Sequence, residues 1–487
     1  MAYKATRLVA TLVRKLGVNK GAPRLWLEGI FPSRAGFAPG ARYTVSAPDG
    51  EMKVVLKIDD SGVRLVSAKT KADRTLPVID LNSKELLDRF VGMDTVRVVM
   101  LNGEIHILAD AVEVKKAERR RRLEAAIEHR TMTVASVSHG IGVLSNALHV
   151  GLRQAGFKPK LLWACEIREE VINQAAHAND AWDEETVGLA MPLQQLAFAD
   201  EFTLSRLQRP VLLEGGLPCT AASMAGRAKK GLAKAEDDET AGHLIAAFIA
   251  LIARVNPCAV MLENVMPYWS TASASILRTQ LKELGYDVQE RELHGEDYVI
   301  EARPRRVLVA VTQGVDLDLA AMVPPPKAQQ TIADVLEPIA EDDPMWSPMQ
   351  YLKDKEVRDQ AAGKGFKMQV VTPDATRVGT LGTGYQKNRS TEGKVQHPTK
   401  PELMRLFTPT EHARLKGIPE SMIEGVTSRT FAHEILGQSV IWPAFRQLGE
   451  HLGQALGKGL VKAKAVLPAV VKAAPDQEAT MPLFQAA

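Results

Sequence analysis

Cysteine is scarce in this sequence: only Cys165, Cys219 and Cys258 occur in 487 residues. They are too few and too scattered for a disulfide framework or a zinc cluster, which favours a reducing compartment and no metal centre. Long apolar runs are also lacking, so the sequence predicts no membrane span. The segment MAYKATRLVATLVRKLG has scattered basic residues in place of the apolar core of a signal peptide. We therefore expect a cytoplasmic protein without a membrane partner.

A large net charge is absent as well, because 61 basic residues nearly balance 58 acidic ones and leave a formal charge of +3. This balance argues neither for nor against a nucleic-acid partner, so local clusters of charge must decide. Hydrophobic residues make up 45% of the chain and charged residues 24%, as is ordinary for a globular protein. A chain of 487 residues exceeds a single hydrophobic core and predicts two or three domains.

Residues 1–112 carry short alternating segments, such as Tyr43–Val45 and Val96–Met100, separated by turn signals such as Asn102-Gly103. This pattern predicts a small β-rich domain. Two stretches within it, LWLEG from residue 25 and AGFAPG from residue 35, resemble the swapped-hairpin domains of the SymE/AbrB kind. That resemblance implies DNA binding or a homodimer, and a packing module without partners of its own is the alternative.

Residues 113–130, EVKKAERRRRLEAAIEHR, are rich in helix formers and predict a basic linker helix. We interpret the run Arg119–Arg122 as a solvated face of this helix. Contact with the phosphates of a nucleic acid is the sharper alternative.

From residue 131 to 314, apolar segments alternate with helical ones, which predicts an α/β fold with a doubly wound, Rossmann-like sheet. Residues 315–400 are rich in Pro, Gly, Lys and Thr and predict a small irregular domain. Residues 401–457 return to helical patterning, and residues 458–487 predict a flexible tail. The predicted strands are Thr133–Ser138, Leu161–Glu166, Pro210–Glu214, Ala259–Glu263 and Val307–Val311.

The first candidate site lies where the first of these strands turns into a helix. Gly140 and Gly142 allow a ligand to approach the backbone closely, and the helix N-terminus offers free N–H groups. Glu166 ends the next strand, where a carboxylate can accept hydrogen bonds from two ribose hydroxyls. A Gly-x-Gly turn alone often only packs a helix on a sheet. Together with Glu166 it predicts an adenosine-containing cofactor.

A second candidate is Cys219, in a Gly-Gly-Leu-Pro-Cys loop after the third predicted strand. A thiolate there is reactive if positive charge lies near it. The alternative is a buried structural cysteine, which is how we interpret Cys165 and Cys258.

Two charged motifs complete the set. Glu263 ends a strand within Glu-Asn-Val, and its alternative role is a helix cap or a salt bridge. Arg303 and Arg305 precede the last predicted strand, where arginines suit a phosphate or a polarised carbonyl oxygen. A charged strand edge is the alternative for these two.

In this order the motifs resemble those of the DNA (cytosine-5) methyltransferases. The segments RLFTPTEHARLKGIP from residue 405 and GQSV from residue 437 resemble two later motifs of that family. The resemblance spans residues 131–456 and implies a sheet that binds S-adenosylmethionine, with residues 315–400 as a target-recognition domain. It further implies double-stranded DNA as partner and a bacterial or phage-encoded, nucleoid-associated protein of restriction–modification type.

The resemblance also implies covalent catalysis without a metal. In that mechanism Cys219 adds to C6 of a flipped cytosine, and Glu263 hydrogen-bonds or protonates N3. Arg305 holds the base carbonyl, and Arg303 supports the catalytic loop or a phosphate. S-adenosylmethionine then provides the methyl group for C5.

The resemblance also implies which further residues of this sequence bind the cofactor and the DNA. A lid after the nucleophile and exposed side chains of the recognition region are expected to contact DNA. The cofactor residues are Ser138, Gly140, Ile141, Gly142, Glu166, Ile167, Pro218, Gln438, Ser439 and Val440, and the DNA residues are Arg227, Lys229, Lys230, Tyr385, Lys387 and Arg389.

The sequence departs from the family at several cofactor positions. Ser138 replaces a Phe that packs on the cofactor, Val143 replaces a glycine, and Glu301 replaces a Gln. The acidic residue that the family carries after its own third strand has no evident counterpart near Leu189–Leu196. Three alternatives therefore stay open: the same chemistry with a modified S-adenosylmethionine, a degenerate methyltransferase that only binds DNA, and an RNA substrate. The intact cysteine and glutamate argue against a mere DNA-binding protein.

Overall fold

A computed structural model describes residues 7–71, 74–218, 234–239, 241–327, 329–364 and 367–460. These residues form two compact units, one up to Ala117 and one from Glu118 onward, with the division falling inside a helix, Ala111–Glu128. Within the described ranges, no helix is both long enough and apolar enough to cross a membrane.

The first unit consists of antiparallel sheets around one apolar core. Alternation builds that core: in the strand Thr95–Leu101, Val96, Val98 and Met100 are buried, whereas Arg97 is exposed. Its strands are β1 (Leu8–Lys15), β2 (Gly17–Asn19), β3 (Ala22–Glu28), β4 (Arg42–Ser46), β5 (Lys53–Ile58), β6 (Arg64–Leu65), β7 (Ser67–Lys71), β8 (Arg74–Asn82), β9 (Thr95–Leu101) and β10 (Glu104–Ala109). Two sheets, ordered β1-β9-β10-β5-β4-β6 and β2-β3-β8-β7, place their apolar faces against each other. Short helices α1 (Ile30–Arg34) and α2 (Lys84–Leu87) complete the unit, and α3 is Ala111–Glu128.

A seven-stranded sheet, counted within the described residues, is the centre of the second unit. Its strands are β11 (Thr131–Val137), β12 (Lys158–Glu166), β13 (Val187–Ala190), β14 (Leu212–Gly215), β15 (Ala259–Asn264), β16 (Tyr286–Leu293) and, after the two-residue β17 (Glu301–Ala302), β18 (Arg305–Thr312). The order is β13-β12-β11-β14-β15-β18-β16. The first five strands are parallel, and β18 is antiparallel to both of its neighbours. The predicted doubly wound α/β fold is confirmed.

Helices cover both faces of this sheet, and two apolar clusters fill the space between them. They are α4 (Val143–Gln154), α5 (Glu169–Ala178), α6 (Leu193–Phe198), α7 (Glu201–Leu204), α8 (Leu244–Val255) and α9 (Ala272–Glu283). On one face, Phe248 of α8 and Leu277 of α9 pack with Trp163 of β12. On the other face, Leu148 of α4 packs with residues of the last helix of the chain.

The region after residue 328 is irregular, as predicted, but it has a core of its own. It contains α10 (Gln350–Ala361), β19 (Val370–Val371), β20 (Val378–Gly379), β21 (Lys394–Gln396) and β22 (Met404–Arg405). It is followed by α11 (Pro409–Leu415), α12 (Arg429–Gln438) and α13 (Trp442–Gly457). Val378, Tyr385, Val395 and Phe407 form the centre of this core, together with Leu415 of α11.

Tyr385 was expected to contact DNA, and this prediction is wrong. Its side chain is fully buried. The hydroxyl donates a hydrogen bond to the carbonyl of Gly393 at 2.7 Å and accepts one from the N–H of Phe407 at 2.9 Å. A buried tyrosine with both hydrogen bonds satisfied is a structural residue, because it cannot reach a base edge without unfolding this core.

The interpretation of Arg119–Arg122 as a solvated face is wrong for Arg119, which is 1% exposed. Its guanidinium donates to Thr312 Oγ1 at 3.0 Å, Asn256 Oδ1 at 3.2 Å and the carbonyl of Leu284 at 2.8 Å. It also lies 4.0 Å from the centroid of the Tyr286 ring. Arg119 therefore joins the C-terminal part of α3 to the loops at one edge of the sheet.

Candidate active site

The candidate site lies at the edge of the sheet where the parallel strands end. β11, β14 and β15 end at Val137, Gly215 and Asn264, and their register places Val137 beside Gly215 and Gly215 beside Leu262. Because β18 is antiparallel, it begins at this same edge, with Arg306 paired to Asn264. Open α/β sheets bind ligands in the crevice outside these strand ends. Motifs that are far apart in the sequence therefore meet in one crevice.

Glu263 and Arg305 form an ion pair in this crevice, with Arg305 Nε 2.8 Å from Glu263 Oε1. Both side chains are close to nine-tenths buried. Burial raises the pKa of the Glu263 carboxyl, and the charges of Arg305 and Arg303 oppose that rise. A glutamate in this setting can hold a proton and pass it to a bound group, while the arginine provides a fixed positive charge.

The glycine-rich loop after β14 passes directly beside this pair. A Cβ atom added to Gly216 would lie 3.5 Å from Glu263 Oε2, so the loop backbone is in contact range of the carboxylate. Asn264 donates its side-chain Nδ2 to the carbonyl of Leu217 at 3.0 Å. The Glu-Asn-Val motif thus holds the loop that leads through the exposed Pro218 to Cys219. The sequence analysis gave Asn264 no role of its own.

Four predicted site residues lie outside the described residues: Cys219, Arg227, Lys229 and Lys230. The other two cysteines are described and buried. Burial raises the pKa of the Cys165 thiol to about 12 and that of the Cys258 thiol to about 11. Thiols of this kind are inert as nucleophiles at neutral pH, in keeping with the structural role predicted for both.

Arg303 is separated from the crevice, although Arg305 faces it. Its guanidinium is 97% buried and donates to the carbonyl of Gly437 at 2.8 Å and to that of Leu381 at 3.3 Å. It also lies 3.3 Å from Glu301. The alternative in which Arg303 contacts a phosphate is therefore wrong, because the side chain is enclosed by protein. Support of neighbouring loops is the role that its contacts allow.

The first glycine loop is fastened to the end of β12. The N–H of Gly140 donates to Glu166 Oε2 at 2.9 Å, and the N–H of Arg168 donates to Oε1 at 3.2 Å. Each carboxylate oxygen retains a further lone pair for a ligand hydroxyl. Gly140 has φ of +57°, and a Cβ added there would meet nothing within 4 Å. The loop therefore leaves open space next to Glu166, beside the 64% exposed side chain of Ile167.

Asn179 holds the same loop through hydrogen bonds from its side chain. Its Nδ2 donates to the carbonyls of Ile141 and Gly142, both at 2.9 Å. A Cβ on Gly142 would come within 2.4 Å of both Asn179 and His139, so only glycine fits at this position. Asn179 follows the end of α5, and nothing in its sequence context singled it out.

Ser138 replaces the expected Phe and adopts φ of +50°, a conformation that is uncommon for a residue with a side chain. The adjacent His139 is buried, with its Nδ1 2.7 Å from Ser136 Oγ and its Nε2 accepting the indole N–H of Trp182 at 3.1 Å. Burial lowers the pKa of His139 to about 3, so this histidine is neutral. The loop that begins at Ser138 thus rests on buried polar contacts.

Glu214 extends these buried polar contacts to the strand that carries the second loop. It is 2% exposed, and burial raises its pKa to about 7, against opposition from the hydroxyls of Ser136 and Ser145. From the sequence, Glu214 was expected to end a strand and was given no role in the site. After β13 the chain continues as Met191-Pro192, so the acidic residue that the family has there is absent in the structure as well.

The segment Gln438–Val440 begins at the last residue of α12. Gln438 is exposed, Ser439 Oγ donates back to the carbonyl of Ile435 at 2.7 Å, and Val440 is buried. Arg168, two residues after Glu166, forms an ion pair with Glu434 of α12. This pair brings the predicted cofactor residues of β12 and α12 to the same side of the sheet edge.

Lys387 and Arg389 of the recognition region are exposed, as a DNA contact requires. They flank Asn388, which adopts φ of +52° at the end of a short turn that begins with the buried Tyr385. This turn belongs to the same segment as the loop that contacts Arg303.

The sequence similarity of the chain is consistent with this geometry. Residues 132–454 match the family described as C-5 cytosine-specific DNA methylase. The chain belongs to this family. The match begins in β11 and ends in α13, so the first unit lies outside it.

Individual methylases resemble the chain at moderate identity. Type II methyltransferase M1.ScrFI of Lactococcus lactis subsp. cremoris is 29% identical over 261 residues, which cover 51% of this chain and 63% of that protein. Type II methyltransferase M.NlaX of Neisseria lactamica is 29% identical over 254 residues, which cover 50% of this chain and 76% of that protein. The chain thus spans less than two thirds of the first of these relatives.

A solved structure shares the methylase fold. The crystal structure of S. pombe Dnmt2 methyltransferase superposes with a TM-score of 0.51 at 16% identity and covers 67% of this chain and 99% of that one. At this identity the similarity shows the fold alone.

Proposed function

We propose that this methylase-family chain transfers a methyl group from S-adenosylmethionine to C5 of cytosine in double-stranded DNA, with Cys219 as nucleophile. The observation that carries the proposal is the buried Glu263–Arg305 pair beside the loop that ends at Pro218. A carboxyl with a raised pKa, a fixed positive charge and an adjacent cysteine are the three groups that covalent activation of a cytosine requires.

The proposed steps use one group each. The Cys219 thiolate adds to C6 and forms an S–C6 bond, while Glu263 donates its proton to N3 of the base. Arg305 holds the base carbonyl, and C5 gains the nucleophilic character needed to accept a methyl group. After transfer, C5 loses its proton to solvent, the S–C6 bond breaks, N3 returns its proton to the Glu263 carboxylate and the Cys219 thiolate is regenerated. The base must leave the helical stack to enter the crevice.

The cofactor pocket that we propose fits the residues present. Glu166 has acceptor capacity for the ribose, the open space at Gly140 admits a ligand against the backbone, and Ile167 offers an exposed apolar surface to the adenine. S-adenosylmethionine supplies an electrophilic methyl group when it is bound. Around it we place Ser138, Ile141, Gly142, Pro218, Gln438, Ser439 and Val440. We propose unmodified S-adenosylmethionine as the donor. The mass of the modified nucleoside distinguishes it from a modified donor.

Recognition of DNA is assigned to two regions. We place residues 315–400 against the target, with the exposed Lys387 and Arg389 next to phosphates or base edges. Arg227, Lys229 and Lys230 belong to the segment after Cys219, and we propose that their positive charges contact phosphates of the DNA. For the first unit, DNA binding and homodimer formation stay predictions from its sequence.

The experiment that tests this mechanism is covalent trapping. Long duplex DNA synthesised with 5-fluorocytosine in place of cytosine contains every target sequence, and fluorine cannot leave C5 as the proton does. With S-adenosylmethionine present, the S–C6 bond therefore persists, and we expect a protein–DNA adduct that survives a denaturing gel. The adduct should disappear in Cys219→Ser and persist in Cys258→Ser. An adduct that Cys219→Ser still forms, or none with the folded wild type, would contradict the proposal.

A further inference from the structure

A buried charged cluster lies behind the active-site arginine. Glu301, Arg303 and Lys416 are 0%, 3% and 0% exposed, and the only role that their contacts have suggested so far is the support of neighbouring loops by Arg303. Lys416 Nζ lies 3.8 Å from Glu301, and Arg303 lies 3.3 Å from the same carboxylate. Charged side chains are almost never fully buried unless they are paired, so the cluster needs an explanation.

Two of these side chains reach the glycine-rich loop 379–384 of the recognition region. The carbonyl of Leu381 accepts from Arg303 at 3.3 Å and from Lys416 at 3.4 Å. The backbone contributes as well, because β17 pairs with β20 and Thr380 donates its hydroxyl to the carbonyl of Ala302 at 2.7 Å. The loop is therefore attached to the short segment that leads directly into Arg305.

The same two cations also reach the end of α12. Arg303 donates to the carbonyl of Gly437 at 2.8 Å, and Lys416 donates to the carbonyl of Leu436. The approach is close: a Cβ on Gly437 would lie 2.3 Å from the backbone of Gly382 and Thr383. Three segments, namely the arginine segment, the recognition loop and the end of α12, thus share one set of buried donors.

We propose that Lys416, together with Glu301, is a positioning residue that couples loop 379–384 to the Glu263–Arg305 pair. This inference rests on the proposed function, in which Arg305 holds the base and the loop belongs to the recognition region. When a target strand binds against loop 379–384, the loop becomes ordered. The hydrogen bonds from the shared donors then hold the segment that leads into Arg305 in place. Burial disfavours the charged form of Lys416 and lowers its pKa, so the site tolerates this lysine only because carbonyls and Glu301 surround it.

The test compares Lys416→Met, Glu301→Gln and the double variant E301Q/K416M with the wild type, all as full-length chains. Lys282→Met, at the exposed end of α9, is the matched control. Melting temperature reports folding, hydrogen exchange of peptides covering residues 378–384 and 300–306 reports coupling, and kcat with duplex DNA reports function. Removing Lys416 alone leaves Glu301 buried beside one cation fewer, so we expect a lowered melting temperature.

The double variant separates positioning from mere stability. In it Arg303 keeps its charge and loses its pair with Glu301, so exchange and kcat are measured well below the melting temperature of the variant, where the chain is folded. Under these conditions we expect both peptides to exchange faster and kcat to stay roughly 10-fold to 100-fold below the wild type. Slow exchange of both peptides and a wild-type kcat in the folded double variant would overturn the inference. Exchange is measured whether or not the wild type methylates DNA, so an inactive wild type overturns the proposed function while exchange still decides the coupling.

Discussion

The Glu263 carboxyl owes its proposed role to its surroundings. It ends a fully buried strand, faces Arg305 at 2.8 Å and has its pKa raised by burial. An amide in its place keeps the size and an acceptor for Arg305 but cannot donate a proton as an acid does. A change at this position therefore tests proton transfer without removing the contact.

We expect Glu263→Gln to lower kcat by about 10²–10⁴-fold, the usual contribution of a general acid, with little change in KM for DNA. Steady-state methylation with labelled cofactor measures both constants. Glu292→Gln is the control, because Glu292 also pairs with an arginine, Arg306, but is exposed. An equal effect of both substitutions on kcat would show that the Glu263 proton has no part in the chemistry.

Glu214 gives the molecule a pH dependence of known sign. Its pKa is about 7 in the folded chain against an ordinary value of 4.5, so the folded state binds more protons than the unfolded state between these values. Stability from this group is present below pH 4.5 and is lost as the pH rises through 7. The full loss corresponds to about 3 kcal/mol.

Glu214→Gln should remove this loss, because the amide mimics the protonated carboxyl. We expect the variant to be close to the wild type at pH 5 and more stable than it at pH 8, as measured by urea unfolding at both values. Glu184→Gln, on the exposed surface, should shift neither curve. A constant difference between variant and wild type across this range would contradict the raised pKa.

Residues whose chemistry is visible in a motif could be singled out from the sequence. Glu263 and Arg305 flank strand boundaries, and the structure brings them together because β18 is antiparallel to β15. Asn179 and Lys416 escaped notice, since their importance comes from carbonyls that the fold brings to them. Tyr385 was misjudged because a tyrosine in a glycine-rich segment looks exposed until the core around it is known.

Among the elements, strands with continuous apolar runs were predictable and strands without them were not. β14 and β15 are buried along their whole length and β11 over its last four residues, and each contains consecutive apolar residues such as Leu212-Leu213 or Ala259–Leu262. β13 has only four residues, three of them exposed, and β16 carries the charged sequence YDVQEREL at the sheet edge. Neither strand carries a periodic apolar pattern, so neither was predicted from the sequence.

Arg119 joins the C-terminal part of helix α3 to loops at one edge of the sheet. A substitution of Arg119 should therefore lower the free energy of unfolding. Arg119→Met keeps an apolar stem over Tyr286 but leaves Asn256 Oδ1 and the carbonyls of Leu284 and Gly285 without this donor. We expect a loss of about 3–5 kcal/mol in unfolding free energy, measured by urea titration. Glu124→Gln, on the exposed side of the same helix, should change it by less than about 0.5 kcal/mol. Equally small effects of both substitutions on the free energy of unfolding would support the interpretation of Arg119–Arg122 as a solvated face.

At the scale of the whole molecule, the order of motifs predicted the central sheet because the motifs from Gly140 to Arg305 lie at strand ends of that single sheet. The first unit was predicted only as β-rich, since alternation indicates strands but not how two sheets face each other. It lies outside the matched residues, so its function has to be tested separately from that of the methylase segment.

Cys219 is the residue on which the proposed methylation of cytosine in DNA depends. The most direct test is to incubate the purified chain with S-adenosylmethionine and mixed-sequence duplex DNA, digest the DNA to nucleosides and weigh the products. We predict 5-methyldeoxycytidine from the wild type and from Cys258→Ala, and none from Cys219→Ala. A cytidine adduct of another mass would identify a modified donor. Unmodified deoxycytidine from the folded wild type, or a methyl mark that survives loss of Cys219, would contradict the account.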